Sequence, residues 1–223
     1  MDHPNLVRVE SNRGRSEALV ILRGYLSEKG FVKNKQFWID AIRQAGWKGS
    51  IYHLWWESPG NSAWNRICIH RRWKRVKKRA ERVGKYHLSS MISTLPEKSI
   101  SLIGYSLGAR VIYDGLAHLS DCPKPVDDVI LLGGAVRRNK EWGIRASGLR
   151  GHLINIYNSD DEILDLIFKV GELYLRSPCG LKPIEDRHPK IININATSLM
   201  GTSSHKERHY LSILPQTVGR RYW

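Results

Sequence analysis

The sequence predicts a doubly wound α/β fold: a mostly parallel sheet of about six strands in one domain, with right-handed crossover helices on both faces. Three observations carry this reading. Apolar runs such as Ala18-Leu19-Val20-Ile21-Leu22 are short and unbroken, as in strands buried on both faces. Between them lie stretches whose apolar residues recur at helical spacing. The 223 residues, 41% of them hydrophobic, suit a single core and are short for two.

A polar lead over 1–16 precedes the core domain, 17–223. The first strand, 18–22, is bounded by charge and by Gly24. Phe37, Trp38, Ala41, Ile42 and Ala45 then mark a helix over 34–45, with Gly46 as C-cap. A strand over 51–56 completes a βαβ unit. A long helix over 64–93 carries one apolar stripe, Ile69, Trp73, Val76, Ala80 and Val83. The alternation continues with strand 99–104, helix 107–119, strand 128–133, a short helix after Asn139, strand 152–158 and helix 161–174. A loop over 177–189 with Pro and Gly leads to strand 190–195 and a last helix from Lys206. No internal repeat, low-complexity tract or linker interrupts this order.

Composition excludes several classes. Eight Trp and nine Tyr argue against disorder, because they supply the burial that offsets chain entropy. No window approaches the roughly 18 apolar residues of a spanning helix, and Met-Asp-His-Pro-Asn lacks the layout of a secretory signal. Cys68, Cys122 and Cys179 are odd in number and form no CxxC pair, so neither a disulfide framework nor a thiolate metal site is expected. These features predict a cytoplasmic protein, peripheral at a membrane at most, with no cofactor or metal ion.

The strongest local signal is Gly104-Tyr105-Ser106-Leu107-Gly108, set between a buried strand and an amphipathic helix. In such a G-x-S-x-G elbow the serine occupies a strained turn, and small residues are needed where strand and helix backbones meet. The plain alternative is two glycines easing a tight turn. A serine hydroxyl is a poor nucleophile near pH 7 and needs a histidine base oriented by a carboxylate, in the chain order Ser, acid, His. After the strand at 152–158 come Asp160 and Asp161. Asp161 is the candidate acid, with helix capping the competing reading for either aspartate. After the last strand come His205 and His209, and His205, at the loop-to-helix junction, is the candidate base. Their i, i+4 spacing is also that of a metal pair, but Lys206 stands where a zinc protease motif has Glu. The oxyanion of an acyl-transfer intermediate needs backbone N–H donors. Leu107 and Tyr25, the latter in the turn after the first strand, are the candidates; otherwise Gly24 merely ends a strand.

These residues resemble the α/β-hydrolase superfamily and, within it, the group typified by transmembrane and coiled-coil domain protein four. The resemblance spans Gly24-Tyr25-Leu26-Ser27-Glu28, Leu54-Trp55-Trp56-Glu57-Ser58, and the block from Leu102 through Gly104-Tyr105-Ser106-Leu107-Gly108-Ala109-Arg110 to Tyr113. It continues through 129–136, Asn155-Ile156-Tyr157-Asn158 with Asp161, and 192–195. It implies a serine hydrolase with Ser106 as nucleophile, Asp161 as acid and a histidine near Tyr210 as base. The elbow and its partners lead to the expectation of a serine esterase acting on an ester or other acyl substrate, lipid included. The chain departs from the group in carrying Ser204-His205 where a Gly-His pair stands closer to the tyrosine, and in lacking the hydrophobic membrane segments of larger members. A fold retained without a working triad is the competing reading.

Charge supplies the other signal. Lys and Arg number 36 against 21 Asp and Glu, a net +15. Between Asn65 and Lys85 stand ten Lys or Arg against Glu81 alone. With Trp64 and Trp73 this is a basic amphipathic helix, suited to anionic membranes or to phosphates; the alternative is a solvated face. Nucleic acid is disfavoured as a partner because no RNA-binding module is visible. Oligomeric state is open.

Overall fold

The computed structural model describes residues 4–24, 27–56, 66–119, 122–171 and 177–223, without the side chains of 27–33, 66–70, 72, 171, 220 and 221. Its strands are β1 (Asn5–Glu10), β2 (Glu17–Leu22), β3 (Ser50–Trp55), β4 (Ser99–Tyr105), β5 (Val126–Leu132), β6 (Leu153–Tyr157) and β7 (Ile191–Asn195). They form one seven-stranded sheet in the order β1-β3-β2-β4-β5-β6-β7. All neighbours pair in parallel except β1, which runs antiparallel along β3. The polar lead of the sequence reading therefore supplies an edge strand. Only one edge of β1 is paired, and its residues are all exposed or half-buried and carry little apolar signal.

The helices are α1 (Ser27–Gln44), α2 (Arg66–Val83), α3 (Ser89–Ser93), α4 (Gly108–Leu116), α5 (Trp142–Ser147), α6 (Glu162–Gly171), α7 (Thr197–Met200), α8 (Glu207–Ser212), α9 (Leu214–Thr217) and α10 (Gly219–Tyr222). Alternation along β2 divides the core. Ala18, Val20 and Leu22 point to a face covered by α2, α4, α5 and α6, while Leu19 and Ile21 point to a face covered by α1, α8 and α9. Both faces are buried, which is why the strands read as continuous apolar runs.

The helices differ from expectation in several places. The short α7 is not expected from the sequence, and the last helix, expected to run on from Lys206, is broken into α8, α9 and α10. α1 begins seven residues earlier, at Ser27. Of the long helix predicted over 64–93, Trp64 and Asn65 lie outside the described residues, and 66–93 is one helical path with a wide π turn over Gly84–Leu88 between α2 and α3. There α2 presses on α4: a Cβ on Gly84 would lie 2.8 Å from Gly115 N and overlap the Val111 carbonyl. The local widening fits this close backbone approach.

From β2 the chain winds to β3 on one side and then to β4 on the other, so the connections diverge between the carboxyl ends of β2 and β4. That crevice is where open α/β sheets bind ligands.

Candidate active site

Ser106 follows directly on β4 and has φ +55°, the one positive φ among the described non-glycine residues. This backbone costs a residue with a side chain about 1–2 kcal/mol. Its neighbours hold it there: the Ser106 N–H donates to the Leu132 carbonyl at 3.0 Å, and the Ser106 carbonyl accepts from the N–H groups of Ala109 at 3.2 Å and Ala135 at 2.9 Å. The flanking glycines are required by contact. A Cβ on Gly104 would lie 2.8 Å from Ala109 N, and one on Gly108 would overlap the Leu22 carbonyl at the end of β2.

The turn after β2 passes beside the serine. A Cβ on Gly24 would lie 2.8 Å from Ser106 Cβ, 3.2 Å from its Oγ and 3.3 Å from Leu107 N. Gly24 thus does more than end a strand; it leaves space next to the hydroxyl and the Leu107 amide. Leu107 is buried, and its N–H has no acceptor among the described residues. Tyr25, the other expected oxyanion donor, lies outside the described residues.

Asp161 is fully buried at the start of α6. Its Oδ1 accepts from the Leu164 N–H at 2.9 Å, and its Oδ2 lies 2.5 Å from His205 Nδ1 and accepts from the Tyr210 hydroxyl at 3.0 Å. One oxygen caps the helix, as the capping reading expects, while the other faces the imidazole. Buried Asn158 joins the acid loop to the histidine loop. Its Nδ2 donates to the Thr202 carbonyl at 2.8 Å, and the Glu162 N–H reaches the Ser203 carbonyl at 3.2 Å.

The His205 ring stacks on that of Tyr105, the residue before Ser106, with centroids 5.1 Å apart. The Tyr105 hydroxyl donates to the His205 carbonyl at 2.8 Å. His205 Nε2 is buried and has no hydrogen-bond partner among the described residues. Burial first, and then the negative charges of Glu207 and Asp161, pushes the Tyr105 phenol well above its ordinary value; burial and then Asp161 does the same to Tyr210. Both phenols therefore stay neutral and serve as donors. His209 stands apart: its Nε2 accepts from Arg208 Nε at 3.3 Å, and burial, Arg208 and Lys206 lower its pKa. His205, and not His209, is brought to Asp161.

The site also contains residues that sequence reading does not assign. Tyr105 and Tyr210 lie inside recognisable blocks, but nothing in the pattern says that their hydroxyls tie the base loop. Arg23 and Glu207 give no local signal at all. Among the described residues no three His, Cys, Asp or Glu side chains converge as a metal site would require.

Residues 64–217 match the family model described as "Protein of unknown function (DUF726)". The chain belongs to this family. Over 143 residues, 61% of this chain, it is 32% identical to "Transmembrane and coiled-coil domain-containing protein STS1" of Oryza sativa subsp. japonica. It is 34% identical over 146 residues to "Uncharacterized membrane protein F35D11.3" of Caenorhabditis elegans. Over 63% of its length it is 30% identical to "Probable lipase MIL1" of Saccharomyces cerevisiae, of which it covers 12%. The chain spans about a fifth of the rice and nematode relatives, 21% and 22%. Among solved structures, Aspergillus fumigatus lipase B aligns with 94% of this chain and 52% of its own, at TM-score 0.51 and 14% identity, so the α/β-hydrolase fold is shared.

These relatives correct one expectation. A cytoplasmic protein, peripheral at a membrane at most, was the reading of composition, but relatives from rice, nematode and fission yeast are named as transmembrane or membrane proteins. No described helix is long and apolar enough to cross a membrane. Hydropathy within a stretch that covers about a fifth of such proteins (21% of the rice relative) carries no information on the remainder.

Proposed function

We propose that the chain is a serine hydrolase unit that cleaves a carboxylic ester through an acyl-enzyme. The observation that carries this reading is the His205 imidazole, held 2.5 Å from buried Asp161 and stacked on the residue that precedes the strained Ser106. In the proposed cycle, Ser106 Oγ bonds to the ester carbonyl carbon as its proton passes to His205 Nε2. Asp161 holds the Nδ1–H and favours the imidazolium. The Leu107 and Tyr25 amides stabilise the oxyanion. The C–O bond to the alcohol then breaks, with the proton returned to the leaving oxygen, and water repeats the sequence to release the acid. Exposed Ile163, Leu166 and Leu199, on the two helices that start at this end of the sheet, favour an apolar acyl group. The name and fold of the lipase relatives point the same way.

Ser106→Ala is a clean test, because alanine meets the same backbone cost at φ +55° as serine. It is expected to abolish fluorophosphonate labelling and to lower hydrolysis of a short p-nitrophenyl ester at least about 10³-fold. Labelling that survives the substitution rejects Ser106 as nucleophile.

A second reading concerns α2. Its stripe of Trp73, Val76, Ala80 and Val83 is buried, while Arg71, Lys74, Arg75, Lys78 and Arg82 are exposed. α2 packs beside α6, with Trp73 edge-on to Phe168 at 5.9 Å, and α6 itself carries exposed Ile163 and Leu166. An anionic lipid surface fits that combination. Reversing Arg75, Lys78 and Arg82 to Glu is expected to abolish sedimentation with phosphatidylserine vesicles, and unchanged sedimentation overturns the reading.

A further inference from the structure

The carboxylate of Glu207, two residues beyond His205, is only 12% exposed and receives four hydrogen bonds. The Arg23 guanidinium grips it in a fork, Nε to Oε2 at 2.8 Å and Nη2 to Oε1 at 2.7 Å. Trp38 Nε1 donates to Oε2 at 3.2 Å and Asn34 Nδ2 to Oε1 at 2.7 Å. A carboxylate in the first turn of a helix ordinarily turns toward that helix's own free N–H groups. This one faces away, to β2 and α1.

Arg23 is itself fixed. It is 6% exposed, and its carbonyl accepts from the buried Trp56 Nε1 at 3.1 Å. The next residue is Gly24, whose Cα borders Ser106 and the Leu107 amide. The ion pair therefore joins two loops 184 residues apart in the chain: the one carrying the imidazole and the one beside the serine. Asp161 and Tyr105 fix His205 from the side of β6 and β4. Along the remaining side, toward β2 and α1, the described anchors of this loop are the donors to Glu207.

We infer that Glu207 is a positioning residue: clamped by Arg23, Trp38 and Asn34, it sets the His205 backbone against the Gly24 turn and so holds the imidazole in register with Asp161 and Ser106. Its consequence for turnover rests on the serine-hydrolase reading, whereas the geometric claim does not. Glutamine in its place presents an NH2 group where only donors converge, so one side of the clamp must open. A displacement of about 1 Å in a catalytic group is enough to cost on the order of 10²-fold in rate.

The test is made on the full chain with two readouts. In the Ser106→Ala background, the Nδ1–H proton of His205 should give a far-downfield NMR resonance, assigned by its loss in His205→Gln. Glu207→Gln is expected to broaden or erase it, whereas Val76→Ala, a destabilising core change under α2, leaves it in place. In the otherwise unmodified chain, Glu207→Gln should lower kcat on a p-nitrophenyl ester about 10²-fold with KM within about threefold, and Val76→Ala should leave kcat unchanged. Arg23→Lys, which keeps the charge but loses the fork, should reproduce both effects and serves in place of Glu207→Gln if that variant does not fold. An unaltered resonance or an unaltered kcat in a folded clamp variant overturns the inference. If the unmodified chain neither hydrolyses esters nor labels at Ser106, it is the proposed function that fails, and the resonance still decides the clamp.

Discussion

The two halves of the candidate site are built by different physics. The elbow at Ser106 is steric and local: glycines at 104 and 108 let β4 and α4 backbones touch, and three backbone hydrogen bonds hold the strained residue. The half that presents His205 is polar and assembled from distant segments, with Asp161, Tyr210, Tyr105, Asn158, Glu207 and Arg23 converging from both ends of the chain. A steric site fails through volume, a polar one through misalignment, so the two should respond differently to substitution.

The largest effect is expected at Gly108. Gly108→Val drives a side chain into the Leu22 carbonyl, a backbone atom that cannot step aside. A loss of at least about 3 kcal/mol in urea unfolding, or failure to fold, is expected. Gly148→Ala, with nothing within 4 Å of the added carbon, should stay within about 0.5 kcal/mol. Equal losses at both positions would remove the steric account of the elbow.

Next comes Asp161, where capping and imidazole orientation reside on different oxygens. Asn retains an acceptor for the Leu164 N–H but turns an NH2 toward His205 Nδ1. Asp161→Asn should cost on the order of 10³–10⁴-fold in kcat/KM with a melting temperature close to that of the parent. Asp161→Ala should lose about 1 kcal/mol more stability through the missing cap. Full activity in the Asn variant would detach Asp161 from the chemistry.

A last comparison, read as a slope with pH, separates the polar web from the sheet beneath it. Buried His53 on β3 has its pKa pushed down to about 3, by burial first and then by the nearby Arg23 cation. In the unfolded chain it binds a proton near pH 6.5 that the folded protein refuses. Stability is therefore full above that pH and declines on acidification toward pH 3, by at most about 1.4 kcal/mol per unit. Denaturant unfolding between pH 7 and 4 should show this slope, and His53→Gln should flatten it; an identical slope in the variant would assign the effect elsewhere.

The same division explains what the sequence discloses. The elbow is legible because its determinants lie within five contiguous residues and follow from contact. Buried strands are legible because both faces of the sheet are covered, and Asp161 and His205 because chain order and strand ends limit the choices. The Arg23–Glu207 pair obeys no spacing rule, since only the finished sheet brings its ends together. β1 escapes notice because an edge strand needs few apolar residues. The π turn at Gly84 is hidden because the stripe of Val76, Ala80 and Val83 ends just before it, and the close approach it accommodates is to Val111 and Gly115 on another helix.

The backbone at Ser106 has an evolutionary corollary. Glycine alone would relieve the left-handed strain there, so a lineage that no longer needs the hydroxyl gains thermal stability by replacing it with glycine and gains nothing from alanine. On the proposed hydrolase reading, descendants carrying Gly at this position, on an otherwise intact sheet, are therefore the ones expected to lack esterase activity.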